Sequence, residues 1–262
     1  MANHKTRFKP VVLSIAGFDP SSGAGITADI KTIAAHGCYG ITCITALTVQ
    51  STRGVQRVDG VEGRIITETL EELAVDFDIA AVKVGMLGSA EAARAVAAFL
   101  KRHQPRQVVL DPILKSSSGA ELISKDGIEV LKNRLLAQAT VITPNISEAA
   151  MLSGMEVNNP EEMSQAALRL QQMGAKNVII TGGHLNSPTD LILVRGQPST
   201  VLEGERIVTS STHGTGCAYS TSLACGLGKG KSLMNAATAA KRYVESALHK
   251  PAAVGSGIGP VL

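Results

Sequence analysis

Short runs of Val, Ile, Leu and Ala alternate along the chain with longer segments in which apolar residues recur at helical spacing. The short runs predict buried strands, and the longer segments predict amphipathic helices. The predicted strands cover 11–16, 41–47, 80–84, 107–111, 140–143 and 177–181. The predicted helices lie near 25–36, 62–75, 89–102, 124–138, 160–173, 215–228 and 231–248.

The repeated order of strand and helix predicts an α/β fold. Parallel neighbours need a crossover connection, and the crossover helices cover the faces of the sheet, so a mostly parallel central sheet is expected. Residues 192–202 differ, because the turn signal Arg-Gly-Gln-Pro at 195–198 separates two short apolar runs and predicts an antiparallel hairpin at one edge. No repeat or linker divides the sequence, so a single domain over 1–262 is expected.

The composition favours an enzyme core over a nucleic-acid surface. Of 262 residues, 44% are hydrophobic and only 3% are aromatic, so Ala, Val, Ile and Leu supply the core and few rings can stack on bases. The formal net charge is +3, and basic residues are interspersed with acidic ones. Neither nucleic acid nor an acidic membrane is therefore expected as a partner.

The sequence contains neither a recognisable targeting signal nor a metal-binding cysteine pattern. Residues 1–10 are polar and basic without the apolar stretch of a secretion signal, and no apolar run reaches membrane-spanning length, so a cytoplasmic protein is expected. The cysteines form no C-x-x-C pair, which indicates neither a zinc site nor a disulfide framework. They are Cys38, Cys43, Cys217 and Cys225.

A glycine-rich turn precedes the predicted helix 215–228, with the sequence Thr-His-Gly-Thr-Gly-Cys at 212–217. Gly214 and Gly216 allow open backbone conformations that point successive N–H groups at one place, and the helix adds the positive end of its dipole. The segment therefore predicts an anion-binding turn. Cys217 at this helix end is expected to lose its proton more readily than a free cysteine. The alternative is a helix-initiating loop with a buried cysteine.

Polar, acidic and glycine residues follow most of the predicted strands. Ligands of parallel sheets bind beyond the carboxyl ends of the strands, so these residues are expected to face one site. They are the loop 17–25 with Asp29, then Gln50, Gly85, Met86, Asp111, Asn145, Glu148, Gly182, Gly183 and His184. Such a set is typical of a phosphoryl-transfer site, which must hold two anions, a metal and an acceptor. No P-loop or dinucleotide fingerprint has the required spacing.

Six groups of motifs occur in a fixed order. They are G-x-D-P-S-x-G-A-G-I-x-A-D at 17–29, T-A-L with Q-x-T-x-G-V at 45–55, K-x-G-M-L at 83–87, T-P-N at 143–145, G-G-H at 182–184, and T-H-G-T-G-C at 212–217. The chain closely resembles the hydroxymethylpyrimidine/phosphomethylpyrimidine kinases of thiamine biosynthesis, which belong to the ribokinase superfamily. The resemblance spans almost the whole chain. It implies a ribokinase-like, three-layer α/β/α sandwich with a mostly parallel central sheet.

The resemblance implies a reaction and an acceptor pocket. A phosphoryl group passes from MgATP to 4-amino-5-hydroxymethyl-2-methylpyrimidine, and a second one then passes to the monophosphate. The positions that match the pyrimidine site are Ala24, Asp29, Gln50 and Met86. Gln50 can donate to and accept from an aminopyrimidine, Met86 offers a polarizable surface, and Asp29 can accept from the hydroxymethyl group. Read singly, Asp29 could equally be a solvated helix carboxylate and Met86 a core residue.

The resemblance also implies a Mg²⁺ site formed by Asp111, Asn145 and Glu148. Oxygen ligands suit Mg²⁺, which is held through one or two carboxylates, waters and the nucleotide phosphates. Read alone, Asn145 and Glu148 are equally expected as the N-cap of a helix and its capping-box partner. The two roles are compatible.

The catalytic loop implied by the resemblance comprises Gly214, Thr215, Gly216 and Cys217, with Cys217 as the proton acceptor. A thiolate is a weak base towards an alcohol. The loose transition state of phosphoryl transfer needs little activation of the nucleophile, so the loop amides are expected to supply most of the acceleration. ATP is expected beside Thr181, Gly183, Thr212 and His213. His213 and His184 are equally expected as loop-packing imidazoles.

Three places depart from the family pattern. Thr181 stands where a lysine is expected to bridge the phosphates of nucleotide and acceptor, and threonine carries no charge. The family's Ala-Lys-Ser-Gly is replaced by four residues, Ser116-Ser117-Ser118-Gly119, with Lys115 before them, and Phe18 replaces a small hydroxyl residue. The second phosphorylation, with its anionic acceptor, is the step that these changes affect most.

Two alternatives stay open. A pyridoxal or pyridoxine kinase would share the glycine loop and accept a ring of similar size that carries a hydroxymethyl group. A ligand-binding relative without turnover would keep the pocket and lack the charge at 181; binding of pyrimidine and ATP without ADP release would identify it. The resemblance also implies a homodimer.

Overall fold

One sheet runs through the part of the chain that the computed structural model describes, residues 9–116, 119–183, 188–252 and 254–261. Its strands are β1 (Val11–Phe18), β2 (Tyr39–Ser51), β3 (Gly54–Gly60), β4 (Ile79–Val84), β5 (Val108–Leu110), β6 (Val141–Ile142), β7 (Val178–Ile180), β8 (Thr189–Leu193) and β9 (Thr200–Glu203). Their order across the sheet is β3-β2-β1-β4-β5-β6-β7-β8-β9.

The centre of the sheet is parallel and its edges are antiparallel. The neighbouring strands from β2 to β7 pair in parallel, which confirms the predicted mostly parallel sheet. At one edge β8 and β9 form the predicted hairpin around 195–198, antiparallel to each other and to β7. At the other edge β3 pairs with an extended β2, and this hairpin was not predicted, because the polar sequence of β3 lacks an apolar run.

The helices are α1 (Gly25–Ala35), α2 (Gly63–Asp76), α3 (Ala90–His103), α4 (Lys125–Val130), α5 (Ile146–Ser153), α6 (Pro160–Gln172), α7 (Thr215–Gly228) and α8 (Leu233–Leu248). The predicted helix 124–138 is α-helical only in α4; a π-helical turn follows at Leu131–Leu135 and a 3₁₀ turn at Leu136–Gln138. No helix among the described residues is long and apolar enough to cross a membrane.

Two hydrophobic cores lie on opposite faces of the sheet. Successive strand residues point to opposite faces, so Val12 joins one core and Leu13 the other. The core around Leu13 packs against α2, α3, α5 and α6, whereas the core around Val12 packs against α1, α7 and α8. This arrangement is the predicted three-layer α/β/α sandwich, with the large core buried away from water between the layers.

The segment 254–261 joins two loops that are distant in sequence. The Ile258 N–H donates to the carbonyl of Thr52 at 2.9 Å, in the turn between β2 and β3. The His213 N–H, just before α7, donates to the carbonyl of Gly259 at 3.0 Å. The Val261 N–H donates in turn to the carbonyl of His213 at 3.1 Å. The β2–β3 turn and the loop before α7 are thereby held side by side.

Candidate active site

The glycine-rich turn before α7 packs directly on the loop after β1. Gly214 has a φ of 84° and α7 begins at Thr215, as expected for a helix-initiating turn. A Cβ on Gly214 would lie 1.8 Å from the carbonyl oxygen of Gly23, so only glycine fits. Gly216 was predicted to be open as well, but it lies inside the helix without a positive φ. Nothing lies within 4 Å of where its Cβ would be, so the space above this helix end is open.

Asp19 fixes the loop after β1 and ties it to the turn before α7. One of its oxygens accepts the N–H of Ser21 at 2.8 Å, and the other accepts the N–H of Ala24 at 2.9 Å. His213 Nε2 donates to the second oxygen at 2.8 Å. Burial works to raise the pKa of Asp19, but the hydrogen bonds from His213 and Ser21 hold it below its usual value. Asp19 is thus a carboxylate that holds Ala24 and His213 together.

A small cavity of about 40 Å³ opens between the β2–β3 turn, the turn before α7 and the 254–261 segment. Gln50 and His213 line it, and Gln50 Nε2 lies 3.2 Å from His213 Nε2. The predicted pyrimidine contact Gln50 and the predicted nucleotide contact His213 are therefore neighbours. Since His213 also bonds to the loop after β1, its position favours the acceptor side of the site.

Met86 is buried just after β4. It is 7% exposed and packs with Ala46 and Leu122. Its sulfur would lie 2.9 Å from a Cβ at position 17, so Gly17 leaves room for the methionine. Its backbone oxygen accepts a hydrogen bond from the Thr45 hydroxyl at 2.6 Å. The contacts of Met86 with a pyrimidine ring remain a prediction.

Asp29 is fully buried and makes an ion pair with Lys83. The Lys83 ammonium lies 3.0 Å and 2.9 Å from the two carboxylate oxygens, and both side chains are 0% exposed. Ser14 donates to one oxygen at 2.5 Å and Thr221 to the other at 2.7 Å. These partners come from β1, β4 and α7, and they occupy both oxygens.

This burial is at odds with the predicted contact between Asp29 and the substrate. In the structure Asp29 is the ion-pair partner of Lys83, and neither residue lines the cavity beside Gln50. Burial alone would lower the pKa of Lys83, but the negative charges of Asp29 and Asp111 raise it, so Lys83 is a buried cation close to the catalytic loop.

The predicted easy ionisation of Cys217 is wrong. Cys217 is 6% exposed in the first turn of α7, and burial raises the pKa of its thiol to about 12. The charge of Lys83 and a backbone hydrogen bond from Gly25 lower it, but Asp29 and Asp111 oppose them. The helix dipole favours the thiolate, but desolvation of the thiol and the charges of the two carboxylates outweigh it and raise the pKa. The resting form of Cys217 is therefore the thiol.

Alkylation tests this assignment. We expect the rate of Cys217 modification by iodoacetamide to rise about tenfold per pH unit from pH 7 to 10 without a plateau, because the thiolate is the reactive form. Peptide mass spectrometry gives the rate at this site, and the Cys217→Ser variant identifies the signal. A plateau near pH 8 would show that the thiol is much more acidic than its surroundings indicate.

Asp111, directly after β5, and Glu148, in the first turn of α5, are two buried carboxyl groups. Burial raises the pKa of Asp111, and the charge of Lys83 and a hydrogen bond from Ser220, at 2.8 Å, offset this only in part. Burial and the negative charge of Asp111 raise the pKa of Glu148 to about 8. Two buried carboxyl groups, both with raised proton affinity, are a donor set that a divalent cation neutralises.

Asn145 and Glu148 form the capping box of α5. The Asn145 side chain accepts the N–H of Glu148 at 2.9 Å, and Glu148 Oε2 accepts the N–H of Asn145 at 2.9 Å. No group of three or more His, Cys, Asp or Glu side chains in the described ranges could hold a metal alone. Asp111 and Glu148 nevertheless fit Mg²⁺, which needs only one or two carboxylates when phosphates and waters complete its shell.

The predicted nucleotide loop follows β7. The Thr181 N–H donates to the carbonyl of Pro144 at 3.0 Å. Thr181 also pairs with Asn145 in an isolated parallel β-bridge. The Gly182 N–H donates to Asp190 Oδ1 at 3.1 Å, and Lys241 Nζ lies 3.0 Å from Asp190 Oδ2. Thr181 thus lies beside Asn145 of the predicted metal site. His184, Ser117 and Ser118 lie outside the described residues.

Sequence reasoning missed three residues that organise the site, Ser14, Asp190 and Lys241, and it named Lys83 without predicting the ion pair with Asp29. Lys83 and Ser14 hold Asp29, while Asp190 and Lys241 hold the Gly182 backbone. Lys83 offered a signal, because a lysine inside an apolar strand is expected to have a buried partner. Asp190 and Lys241 offered none, since they lie far apart in the sequence. Among the described residues no atom beyond its chain neighbours lies within 4 Å of where a Cβ on Gly183 would be, and Thr212 is exposed.

A mostly parallel three-layer sandwich, a glycine turn opening a helix beside an acceptor cavity, and adjacent acidic residues define a ribokinase-like small-molecule kinase. A model of the phosphomethylpyrimidine kinase family matches residues 19–262. The hydroxymethylpyrimidine/phosphomethylpyrimidine kinase of Haemophilus influenzae is 43% identical over 255 residues, which cover 95% of this chain and 94% of the relative. The chain belongs to the phosphomethylpyrimidine kinase family.

Two further relatives define the limits of this assignment. The thiamine biosynthesis bifunctional protein of Geobacter sulfurreducens is 41% identical over 95% of this chain, but the chain spans only 51% of that protein. The pyridoxal kinase of Staphylococcus aureus in complex with AMP-PCP and pyridoxal superposes with a TM-score of 0.86 at 31% identity, covering 96% of this chain and 92% of the kinase. The fold alone therefore does not separate a pyrimidine acceptor from pyridoxal.

Proposed function

We propose that this protein phosphorylates 4-amino-5-hydroxymethyl-2-methylpyrimidine with MgATP and then phosphorylates the monophosphate to the diphosphate, for thiamine biosynthesis. The observation that carries the proposal is the contact of the Gly214 turn with the loop after β1, beside the cavity that Gln50 lines. It places an anion-binding helix end next to a neutral amide that can both donate to and accept from an aminopyrimidine edge.

In this mechanism the hydroxymethyl oxygen attacks the γ-phosphorus, and the bond to the β–γ bridging oxygen breaks as ADP leaves. The amides at the start of α7 stabilise the transferring phosphoryl group, whereas the charge of Lys83 is balanced by its ion pair with Asp29. Asp111 and Glu148 would hold Mg²⁺, with Asn145 fixing Glu148 through the capping box. Bound Mg²⁺ neutralises phosphate charge.

Cys217 is proposed to accept the proton of the attacking alcohol. It must be a thiolate to do so, and a pKa of about 12 makes that form scarce at neutral pH. Because the transition state is loose, the alcohol can keep its proton until late in the transfer, and positioning by the loop supplies most of the acceleration. The nucleotide is proposed to lie beside Thr181, Gly183 and Thr212.

The discriminating experiment is ADP release at fixed MgATP with three separate acceptors. Turnover with hydroxymethylpyrimidine and with its monophosphate supports both steps of the proposal. Turnover with pyridoxal alone would replace it by the second candidate, a pyridoxal kinase, which the superposition on the pyridoxal-bound kinase favours. Binding of pyrimidine and ATP without ADP release from any acceptor would identify a non-catalytic relative.

Substitution Glu148→Gln tests the metal site. We expect the Mg²⁺ concentration for half-maximal rate to rise about tenfold or more, because an amide lacks the carboxylate charge that attracts the cation. Glutamine can still complete the capping box, so the thermal unfolding midpoint should stay close to that of the wild type. Mg²⁺ titrations of initial rate give the result. An unchanged Mg²⁺ dependence would remove Glu148 from the site.

A homodimer in the cytoplasm is also proposed. Its support is a row of exposed apolar side chains on β2, where Ile44 is 36%, Leu47 49% and Val49 46% exposed. Monomeric proteins seldom leave contiguous apolar patches in water. Sedimentation velocity should give twice the chain mass for the wild type, and Leu47→Glu should shift the protein to monomer. A monomeric wild type at micromolar concentration would contradict the dimer.

A further inference from the structure

The acceptor cavity contains one fully cationic side chain among the described residues that line it, Arg53 at the β2–β3 turn. Arg57, on the next strand of the same hairpin, forms an ion pair with Asp59 at 2.9 Å. Arg53 has no such carboxylate partner in the described ranges. Its guanidinium is therefore available to an anionic ligand, and the cavity that it borders also contains Gln50 and His213.

The turn that carries Arg53 is anchored to the catalytic loop. The carbonyl of Thr52 accepts the Ile258 N–H at 2.9 Å, and its hydroxyl accepts the Gly257 N–H at 3.2 Å. A Cβ on Gly257 would lie 2.1 Å from the Thr52 carbonyl oxygen, so this approach needs glycine. The same segment bonds to His213 through Gly259 at 3.0 Å. The backbone of Arg53 is thus fixed relative to the turn that holds the transferring phosphoryl group.

The second phosphoryl transfer needs a cation that the first does not. Its acceptor is a phosphate monoester, whose negative charge repels the γ-phosphate of ATP as the two approach. Thr181 carries no charge. Lys83 is fully buried, and its ammonium group is hydrogen-bonded to the carboxylate of Asp29, so it is not available to a phosphate. His213 is bound to Asp19. Arginine recognises phosphate through a planar pair of N–H donors, which suits this task.

We propose that Arg53 binds the phosphate of the monophosphate acceptor and thereby determines whether this enzyme performs its second transfer. The inference rests on the proposed function, because it requires a phosphorylated pyrimidine as acceptor. Arg53 would also supply, from the β2–β3 turn, the positive charge that Thr181 does not carry.

The test compares Arg53→Gln with the matched control Arg57→Gln. Initial rates give kcat/KM for hydroxymethylpyrimidine and for its monophosphate at saturating MgATP. We expect Arg53→Gln to lower the value for the monophosphate about ten- to a hundredfold more than the value for the unphosphorylated pyrimidine, which is the range of one charged hydrogen-bonded contact. Arg53→Lys should recover part of the loss. Arg57→Gln should leave the ratio of the two values unchanged.

Equilibrium binding separates this inference from the proposed function. Calorimetric titration of the monophosphate without ATP should give a dissociation constant about tenfold or more weaker for Arg53→Gln than for the wild type. Equal losses for both acceptors, or unchanged monophosphate binding, would overturn the role of Arg53 while leaving the kinase function intact. A wild type that uses pyridoxal alone would overturn both. One that phosphorylates only the unphosphorylated pyrimidine would overturn the role of Arg53 and the second step of the proposed function, while leaving the first step intact.

Discussion

Replacement of Cys217 by alanine is expected to lower kcat about 10²- to 10⁴-fold while changing the KM for ATP only slightly. This loss of kcat is the range expected for removal of a positioned proton-transfer group. The KM for ATP should change little because ATP is proposed to bind through other residues. Steady-state rates with hydroxymethylpyrimidine across a range of ATP concentrations measure both quantities. A loss at the lower end of this range would mean that the loop amides supply most of the acceleration.

The matched control is Cys225→Ala. Cys225 lies in the same helix, α7, and is fully buried, but it packs in the core beside Cys38 and away from the glycine turn. Its replacement should alter stability by about 1 kcal/mol or less and leave kcat within about twofold, as expected for the loss of a small buried sulfur. Wild-type turnover in the Cys217→Ala variant would refute the catalytic assignment of this thiol.

Replacement of Lys83 by methionine is expected to lower the free energy of unfolding by about 3–5 kcal/mol. The change leaves Asp29 as a buried carboxylate without its cation, and such an orphaned charge costs more than the intact pair contributes. Ser14 and Thr221 still donate to Asp29, so the loss should stay within this range. Urea unfolding at pH 7 followed by circular dichroism gives the value.

Two further variants separate charge from packing. The double variant Lys83→Met with Asp29→Asn removes both charges and should regain a large part of the lost stability. Arg57→Gln, which breaks an exposed pair with Asp59, should cost about 1 kcal/mol or less. A Lys83→Met variant as stable as the wild type, or a double variant less stable than the single one, would contradict the account of a buried ion pair.

The fold was largely predictable because its core strands and helices carry strong periodic patterns. Runs such as 11–16 are apolar on both faces. This pattern is typical of a parallel strand that is covered on both sides, so it can be recognised from the local sequence. The β3 strand was not predictable in the same way, because Gly54–Gly60 is mostly polar and gains its structure from hydrogen bonds to β2. The π-helical turn at Leu131–Leu135 likewise follows from packing, since it keeps Leu131, Leu135 and Leu136 buried together.

The candidate site was predictable in location but less so in its electrostatics. Motifs placed Gln50 and Asp111 after predicted strands and Gly214 in a turn that opens a helix. The structure has Gln50 near the end of β2, Asp111 directly after β5 and Gly214 directly before α7. The ionisation of Cys217 could not be read from the helix end, because burial by distant segments outweighs the dipole. The pairing of Asp29 with Lys83 was also hidden, since the two residues are 54 positions apart and come from different elements.

The contacts that complete the site join the two ends of the described chain. Asp19 and His213 are 194 residues apart, and Asp29 and Thr221 are 192 apart. Such contacts form late in folding, because closing so long a loop costs entropy before any contact offsets it. A partly folded intermediate with only the central strands in place would therefore have secondary structure but no acceptor site. Recovery of turnover should lag behind recovery of circular dichroism during refolding, so activity reports on the last step of assembly.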